Sequence, residues 1–462
     1  MQLFADTFMT VGFGFLIAQL IQFDLLGIMN RIMSIQVPVN FLYSSQMLPV
    51  TFGFILLLAC IPALYMSRRL PEMSISMYNN FYRGKAKGRI ITSLAIVQFV
   101  ISFILIIGNI SVRRQISLLY DKAENYKGIY IFSVGDNKTS MLRLKENIGS
   151  LLGIQAVALS NPIYEWPLGE FSPDGTYESY TSEDGDEEIM EVMGYKLLKG
   201  LPWKEAIERY PHPVYLNRTW AQSLFPDGEL PVGNLIKEYE PRLKDRPPFG
   251  DDHVIAGVVE DYFKLYIPNS LETPVDKGII GFARNGTDLK VRIAPGNASV
   301  IKQIYKEWDQ LYPGNYLEHE SLYDKVLGNN KKLFELSDLL MMYSVISILL
   351  TCFGLFGMAL YAIEQRTKEI GIRKVNGSTT WQIIKLLNRQ FIIWIGIAFV
   401  VAVPVTWCLL NQWMQSFVYR ARFSVWTYIL SLLIVLIITL LTVSWHSFKA
   451  ASGNPVRALR DE

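Results

Sequence analysis

Five uncharged, mostly apolar stretches each run far enough to cross a bilayer: Leu48–Met66, Ile90–Val112, Leu339–Ile363, Gln390–Leu410 and Trp426–Trp445. A helix needs roughly 20 such residues to span the hydrocarbon core, where its backbone polar groups must be satisfied internally. No other feature restricts the fold as strongly, because these stretches must be helices and must lie in lipid. A sixth stretch, about Thr7–Ile28, is interrupted by Gln19, Gln22 and Asp24. A carboxylate at the bilayer centre costs roughly 2.5–3.5 kcal/mol on insertion scales, so Asp24 belongs near an interface. Composition agrees: 50% of the 462 residues are hydrophobic and 19% charged, against roughly 25% charged in soluble domains.

The loops set an orientation. Between the second and third spans lie Arg68, Arg69, Arg83, Lys85, Lys87 and Arg89, with Glu72 as the single acid. Between the fourth and fifth lie Arg366, Lys368, Arg373, Lys374, Lys385 and Arg389, against Glu364 and Glu369. The tail adds Lys449, Arg457 and Arg460. The positive-inside rule makes all three segments cytoplasmic. Six spans then place both termini in the cytoplasm and residues 113–338 outside. The first apolar run follows Asp6 rather than a basic region, so it reads as a retained span and not as a cleaved signal.

The long segment reads as a folded α+β domain. Strand-like runs at Gly128–Val134 and His253–Val259 alternate with helical patterns at Met141–Leu152 and Ser299–Tyr312. Turn signals punctuate them at Pro173-Asp174-Gly175, Pro226-Asp227-Gly228 and Pro313-Gly314-Asn315. The acidic run Glu183–Glu191 lacks the D-x-[DN]-x-[DN]-G spacing of a calcium loop and reads as a solvated surface loop. His212, His253 and His319 show no metal-ligand spacing. Cys60, Cys352 and Cys408 all sit in apolar runs as packing residues, so no metal or disulfide framework is expected.

Several functional classes are excluded. A net charge of +2, with no basic run interleaved with aromatics, excludes a nucleic-acid partner. No G-x-x-x-x-G-K-[ST], G-x-S-x-G or H-E-x-x-H occurs, so neither nucleotide hydrolysis nor these hydrolytic chemistries are expected.

The charged run behind the fourth span, Glu364–Thr379 (EQRTKEIGIRKVNGST), resembles the cytoplasmic loop of the MacB/FtsX-type ABC permeases, in their bacteroidetes-type MacB-like form. The resemblance extends to Val97–Ser102, Gly200, Asn217 with Thr219, Gly257–Tyr262, Pro295-Gly296-Asn297, Trp308, Pro313 and Cys352–Gly357. It implies a membrane α-helical protein of about six transmembrane helices with one large extracytoplasmic α+β domain. The implied layout begins with residues 1–89, the remnant of a first repeat with two spans and a basic cytoplasmic loop. A span at 90–112, a MacB-like periplasmic core domain at 113–338 and an FtsX-like permease domain at 339–462 follow. Phe8–Met66 repeats the two-span spacing of Phe391–Trp445, so the first repeat reads as lacking its earlier part.

The resemblance also implies a role: a permease subunit in the bacterial inner membrane that transmits motion from a separate cytoplasmic ATPase to the external domain, for efflux or extraction of a substrate. ATP would be bound by that partner, with no cofactor in this chain. The implied partners are the ATPase, a second permease copy or homologue, a periplasmic adaptor or outer-membrane channel, and the lipid bilayer. The alternatives are an FtsX-like signalling or scaffold protein regulating an extracytoplasmic partner, or an inactive truncated remnant. Coupling would fall to loop 364–389, through Glu364, Arg366, Lys368, Glu369, Ile370, Gly371, Ile372, Arg373, Lys374 and Gly377. Glu364 with Lys368 and Glu369 with Arg373 have i,i+4 spacing that supports a surface helix. Ile370, Ile372 and Val375 would form its apolar contact stripe. Gly377 suits a left-handed helix end, and Ser378 or Thr379 an N-cap for the next helix with Trp381, Ile383 and Ile384.

Overall fold

The structure, a computed structural model, describes residues 2–32, 37–38, 44–45, 47–69, 85–134, 141–161, 181–210, 212–225, 232–233, 235–236, 253–261, 278–283, 286–415, 417 and 420–452. The turn signals at Pro173 and Pro226 lie outside these. Two compact units divide the chain: a helical unit of 1–113, 333–410 and 422–462, and a sheet unit of 114–332 with 411–421. The chain opens with α1 (Gln2–Ile32), α2 (Met47–Arg69) and α3 (Lys85–Ala123). Within α1, Phe8–Gln22 and Asp24–Ile32 meet at 41°. The bend falls where Gln22 and Asp24 interrupt the apolar run. In α2 the apolar helix among the described residues is Met47–Leu57, shorter than a span.

The sheet unit carries, in chain order, β1 (Ile129–Ser133), α4 (Met141–Ile148), β2 (Ile154–Ser160), β3 (Thr181–Gly185), α5 (Ile189–Met193), β4 (Leu197–Gly200), α6 (Trp203–Arg209), β5 (Pro213–Asn217), α7 (Arg218–Leu224), β6 (Leu235–Ile236), β7 (His253–Val259), β8 (Gly278–Phe282), β9 (Asp288–Ile293), α8 (Val300–Leu311), β10 (Glu318–Ser321) and α9 (Leu322–Asn329). The strands form one mixed sheet in the order β10-β1-β9-β2-β3-β8-β5-β7-β4, with β6 also on β7. The pairs β3/β8 and β5/β7 are parallel. Strand alternation explains the first core: Leu289, Val291 and Ile293 of β9 turn to one face and meet Phe132, Val157 and Leu159 of its neighbours. Helix α8 covers that face with Val300, Ile304 and Trp308, spaced i, i+4, i+8, while Lys302, Gln303, Lys306 and Asp309 face solvent. A second core gathers Val214, Leu216, Trp220, Ile255 and Ile279.

The other face of β9 is polar and buried. Lys290 is 0% exposed and holds Glu183 of β3, itself 8% exposed, at 2.5 Å. The Tyr195 hydroxyl donates to the other oxygen of the same carboxylate. Beside them, Lys145 of α4 bridges Asp186 and Glu188, each at 2.6 Å. The acidic run 183–191 is therefore not the solvated loop that its composition suggests. It is strand β3 and the start of α5, carried into the fold because lysines remote in sequence neutralise its buried members.

Asp288 shares this face, and burial pushes its carboxyl above the usual range against the opposing charges of Lys290 and Lys325 and the hydroxyl of Thr287. The folded state thus holds the proton more tightly than the unfolded chain. That contribution is complete below the ordinary Asp value of about 3.9 and is lost as pH rises through the raised one. Asp288→Asn should therefore stabilise residues 114–332 at neutral pH and lose this advantage near pH ~4, read as thermal midpoints across that window. An equal shift at both pH values would remove Asp288 as the titrating group.

Beyond the sheet come α10 (Lys331–Val375), α11 (Thr380–Met414) and α12 (Val425–Ser452). Four helices are long and apolar enough to cross a membrane among the described residues: Thr92–Tyr126, Lys331–Leu360, Thr380–Met414 and Val425–Trp445. Of the six spans expected from composition, four are seen as single helices among the described residues, α1 makes a fifth if its bent halves are one span, and α2 is shorter over its described apolar part. The four are tied together. Phe103 of α3 meets Phe399 of α11 edge-on at 5.3 Å. Asn388 of α11 donates to Ser444 of α12 at 2.8 Å. Thr442 of α12 reaches the Cys352 sulfur of α10 at 3.7 Å.

Candidate functional site

The run 364–389 forms a helical hairpin. Helix α10 continues as one helix through the charged residues to Val375. It stops because the chain turns left-handed at Gly377, with φ of +87°, where a side chain would be strained. Gly377 N–H then bonds the Lys374 carbonyl at 3.1 Å and Ser378 N–H bonds the Arg373 carbonyl at 2.9 Å. This is the paired-carbonyl closure of a Schellman end. Of the two residues suited to cap the next helix, Thr379 does so. Gln382 N–H donates to Thr379 Oγ1 at 3.4 Å, and Thr379 N–H donates back to Gln382 Oε1 at 3.1 Å. The result is a reciprocal capping box at the start of α11.

Side chains decide which surface the hairpin presents. Ile370 is buried on Ile383 and Leu387, with Ile363 packed alongside. Ile370 therefore binds the two arms together and is not part of the outward stripe that its spacing suggested. Ile372 and Val375 remain outward, 54% and 66% exposed, and Trp381 across the turn is 72% exposed. Gly371 is buried within α10, and Lys374 is half-buried. Glu369 and Arg373 form the expected i,i+4 pair, with 2.9 Å to Nη2 and 3.1 Å to Nε. The side chains of Glu364, Arg366 and Lys368 lie outside the described ones. The site is thus a capped, packed two-helix tip offering three large apolar side chains beside cations. Exposed large apolar side chains in a charged segment mark a surface that meets another protein or the membrane.

A second arrangement joins motifs that lie apart in sequence. Asn217, 3% exposed, ends β5 and caps α7 by accepting from Trp220 N–H. Its Nδ2 donates to Asp261 at 3.0 Å and its Oδ1 also accepts from Gly278 N–H at 3.0 Å. Thr219 adds its backbone N–H and hydroxyl to the same Asp261 carboxylate, at 2.8 and 3.0 Å. These bonds lie within the protein, so the cluster anchors β5, α7 and the start of β8 to one another. Spacing alone could not have joined Asn217 to Asp261 and Gly278, which meet through the pairing of β5 with β7 on one side and β8 on the other.

These features define a membrane protein of several apolar helices with a mixed-sheet domain and an ordered charged hairpin. Residues 341–455, which include the hairpin, match the family described as FtsX-like permease C-terminal. This segment, about a quarter of the chain, resembles that family. Among solved structures it is similar to the periplasmic region of MacB from Actinobacillus actinomycetemcomitans, at 14% identity and TM-score 0.30, covering 44% of this chain and 92% of that one. It is also similar to the extracellular domain of the noncanonic ABC-type transporter YknZ from Gram-positive bacteria, at 11% identity and TM-score 0.28, covering 42% and 98%. A domain of a Porphyromonas gingivalis permease protein gives 13% identity and TM-score 0.28, covering 42% and 89%. Comparison with curated proteins gave no match.

Proposed function

We propose that this chain is the permease subunit of a MacB/FtsX-type ABC transporter in the bacterial inner membrane, transmitting motion from a separate cytoplasmic ATPase to an extracytoplasmic sheet domain. The observation that carries this reading is the hairpin tip: Ile372, Val375 and Trp381 stand exposed on a closed, capped turn inside the FtsX-like segment. The ATPase is the partner that would cover them and the place where ATP is bound. Efflux or extraction of a substrate would follow from movement of the sheet domain rather than passage between the helices. A second permease copy, and a periplasmic adaptor or outer-membrane channel, complete the assembly in this reading. Six spans would leave both termini cytoplasmic in this reading.

Topology is the first test. Reporters fused after Gly88, Gly377 and Glu462 should read cytoplasmic, because the cation-rich loops hold those segments inside. A reporter near Gly228 should read extracytoplasmic. A cytoplasmic reading at Gly228 would put the hairpin and the sheet domain on the same side and end the proposal.

A further inference from the structure

Helices α3 and α10 meet along a polar seam deep in their apolar stretches. Ser102, 2% exposed, lies 2.7 Å from Ser347 Oγ and 3.0 Å from Thr351 Oγ1. Thr351 spends its only hydroxyl proton on the Ser347 backbone carbonyl, at 2.8 Å. It can therefore only accept from Ser102, and Ser102 in turn accepts from Ser347. The three hydroxyls form a closed relay in which every proton is used. About two turns further along α3, Asn109 Nδ2 donates to the Ser337 carbonyl at 2.9 Å. One turn inward, Gln98 lies over Gly354, where an added Cβ would stand 2.9 Å from its Oε1. Arg113 reaches the Met341 sulfur at 3.3 Å. From Gln98 and Gly354 through Ser102 to Asn109 and Ser337 the partners descend α10 as they climb α3, so the two helices are antiparallel, and the long Arg113 side chain reaches back to Met341.

We propose that this seam, with Ser102 as its centre, is a register lock that makes α3 and α10 move as one body. The inference rests on the permease reading above and deepens it. Helix α10 carries the hairpin at one end, and α3 and α10 are the helices by which the chain enters and leaves the sheet domain. Sliding either helix by one turn, about 5.4 Å, would break the hydroxyl relay and the Asn109 bond together. Each group so freed would face hydrocarbon or another side chain, with no water to replace its partner. Ser102 is a positioning residue: it touches neither substrate nor ATPase and acts by fixing two helices on each other.

The test uses the full chain in lipid nanodiscs, with Cys60, Cys352 and Cys408 replaced by Ala. Spin labels are placed at Leu94 and Tyr343, which are exposed on α3 and α10. The expected result is one narrow distance distribution, unchanged when the cognate ATPase and ATP are added. In Ser102→Ala combined with Thr351→Val, at equal membrane levels, the distribution should broaden or shift by one helical turn, about 5.4 Å. Ser102→Thr keeps the hydroxyl and should restore the narrow peak. A shift of that size in the unaltered seam on adding ATP would show that the helices slide, and would overturn the lock. A narrow, unchanged peak in the double variant would overturn it as well. Co-purification with the ATPase is scored separately, so loss of the docking reading is distinguishable from loss of the lock.

Discussion

Gly371→Pro is expected to abolish stable association with the ATPase while leaving the chain inserted at wild-type levels. Gly371 lies inside α10, between Ile370, which packs on the other arm, and Ile372, which faces out. A proline there removes a backbone donor and collides with the preceding turn, at a cost of roughly 3 kcal/mol. The strain falls beyond the apolar stretch, so insertion is untouched. Relieving it bends the tip and parts Ile372 and Val375 from Trp381. If the bend is straightened by binding, the same energy appears as a loss of affinity on the order of 100-fold. Trp381→Ala removes the largest exposed side chain without bending anything, and should cost about 2 kcal/mol, as central aromatic contacts do. Reversing Glu369 or Arg373 alone places like charges at i,i+4, and reversing both restores the pair. Rescue by the double reversal means that the pair supports the helix, and failure to rescue means that its charges meet the ATPase. The measurement is co-purification and ATP turnover of the complex. Wild-type values in both Gly371→Pro and Trp381→Ala would leave the hairpin as no more than a connector.

What could be read beforehand follows from the range of the interactions involved. Lipid-spanning stretches are local runs of composition, and the four helices α3, α10, α11 and α12 carry them as expected. The amphipathic spacing of Val300, Ile304 and Trp308 and the strand-like run His253–Val259 are equally local, and they fold as α8 and β7. The helix end at Gly377 and the cap at Thr379 needed only neighbouring residues. Ile370 was harder. Its burial depends on Ile383 and Leu387, which come back along the second arm, and helical spacing alone placed it on the outer stripe. Glu183 was harder still, since Lys290 is 107 residues away and joins it only across the sheet. A run of acids without its partner lysine looks like solvent-facing chain. The polar seam was hidden for the opposite reason. Ser102, Ser347 and Thr351 are small enough to disappear into apolar runs, and only the crossing of α3 and α10 makes them a group.

The Glu183–Lys290 pair yields the second large expected effect, because its two partners are worth little apart and cannot be separated safely. With Lys290 wholly buried, Glu183→Leu would remove the carboxylate bonded to its ammonium and leave Asp288, whose own burial favours the neutral acid, as the nearby counter-charge. Removing one partner of such a pair costs roughly 3–5 kcal/mol. Lys290→Met leaves the Glu183 carboxylate with the Tyr195 hydroxyl as its remaining donor among these groups, and should cost nearly as much. For a unit of this size 1 kcal/mol moves the thermal midpoint by about 2–4 °C, so each single change should lower it by about 10 °C. The double change removes both charges and fills the space with apolar groups of similar length. It should recover most of the loss, and Tyr195, only partly buried, can turn its hydroxyl to water. Thermal unfolding of residues 114–332 expressed alone would measure all four corners of the cycle. A double variant as unstable as the sum of the singles would mean that the two side chains act independently, and the polar face would then have to be held by Lys145 with Asp186 and Glu188 instead.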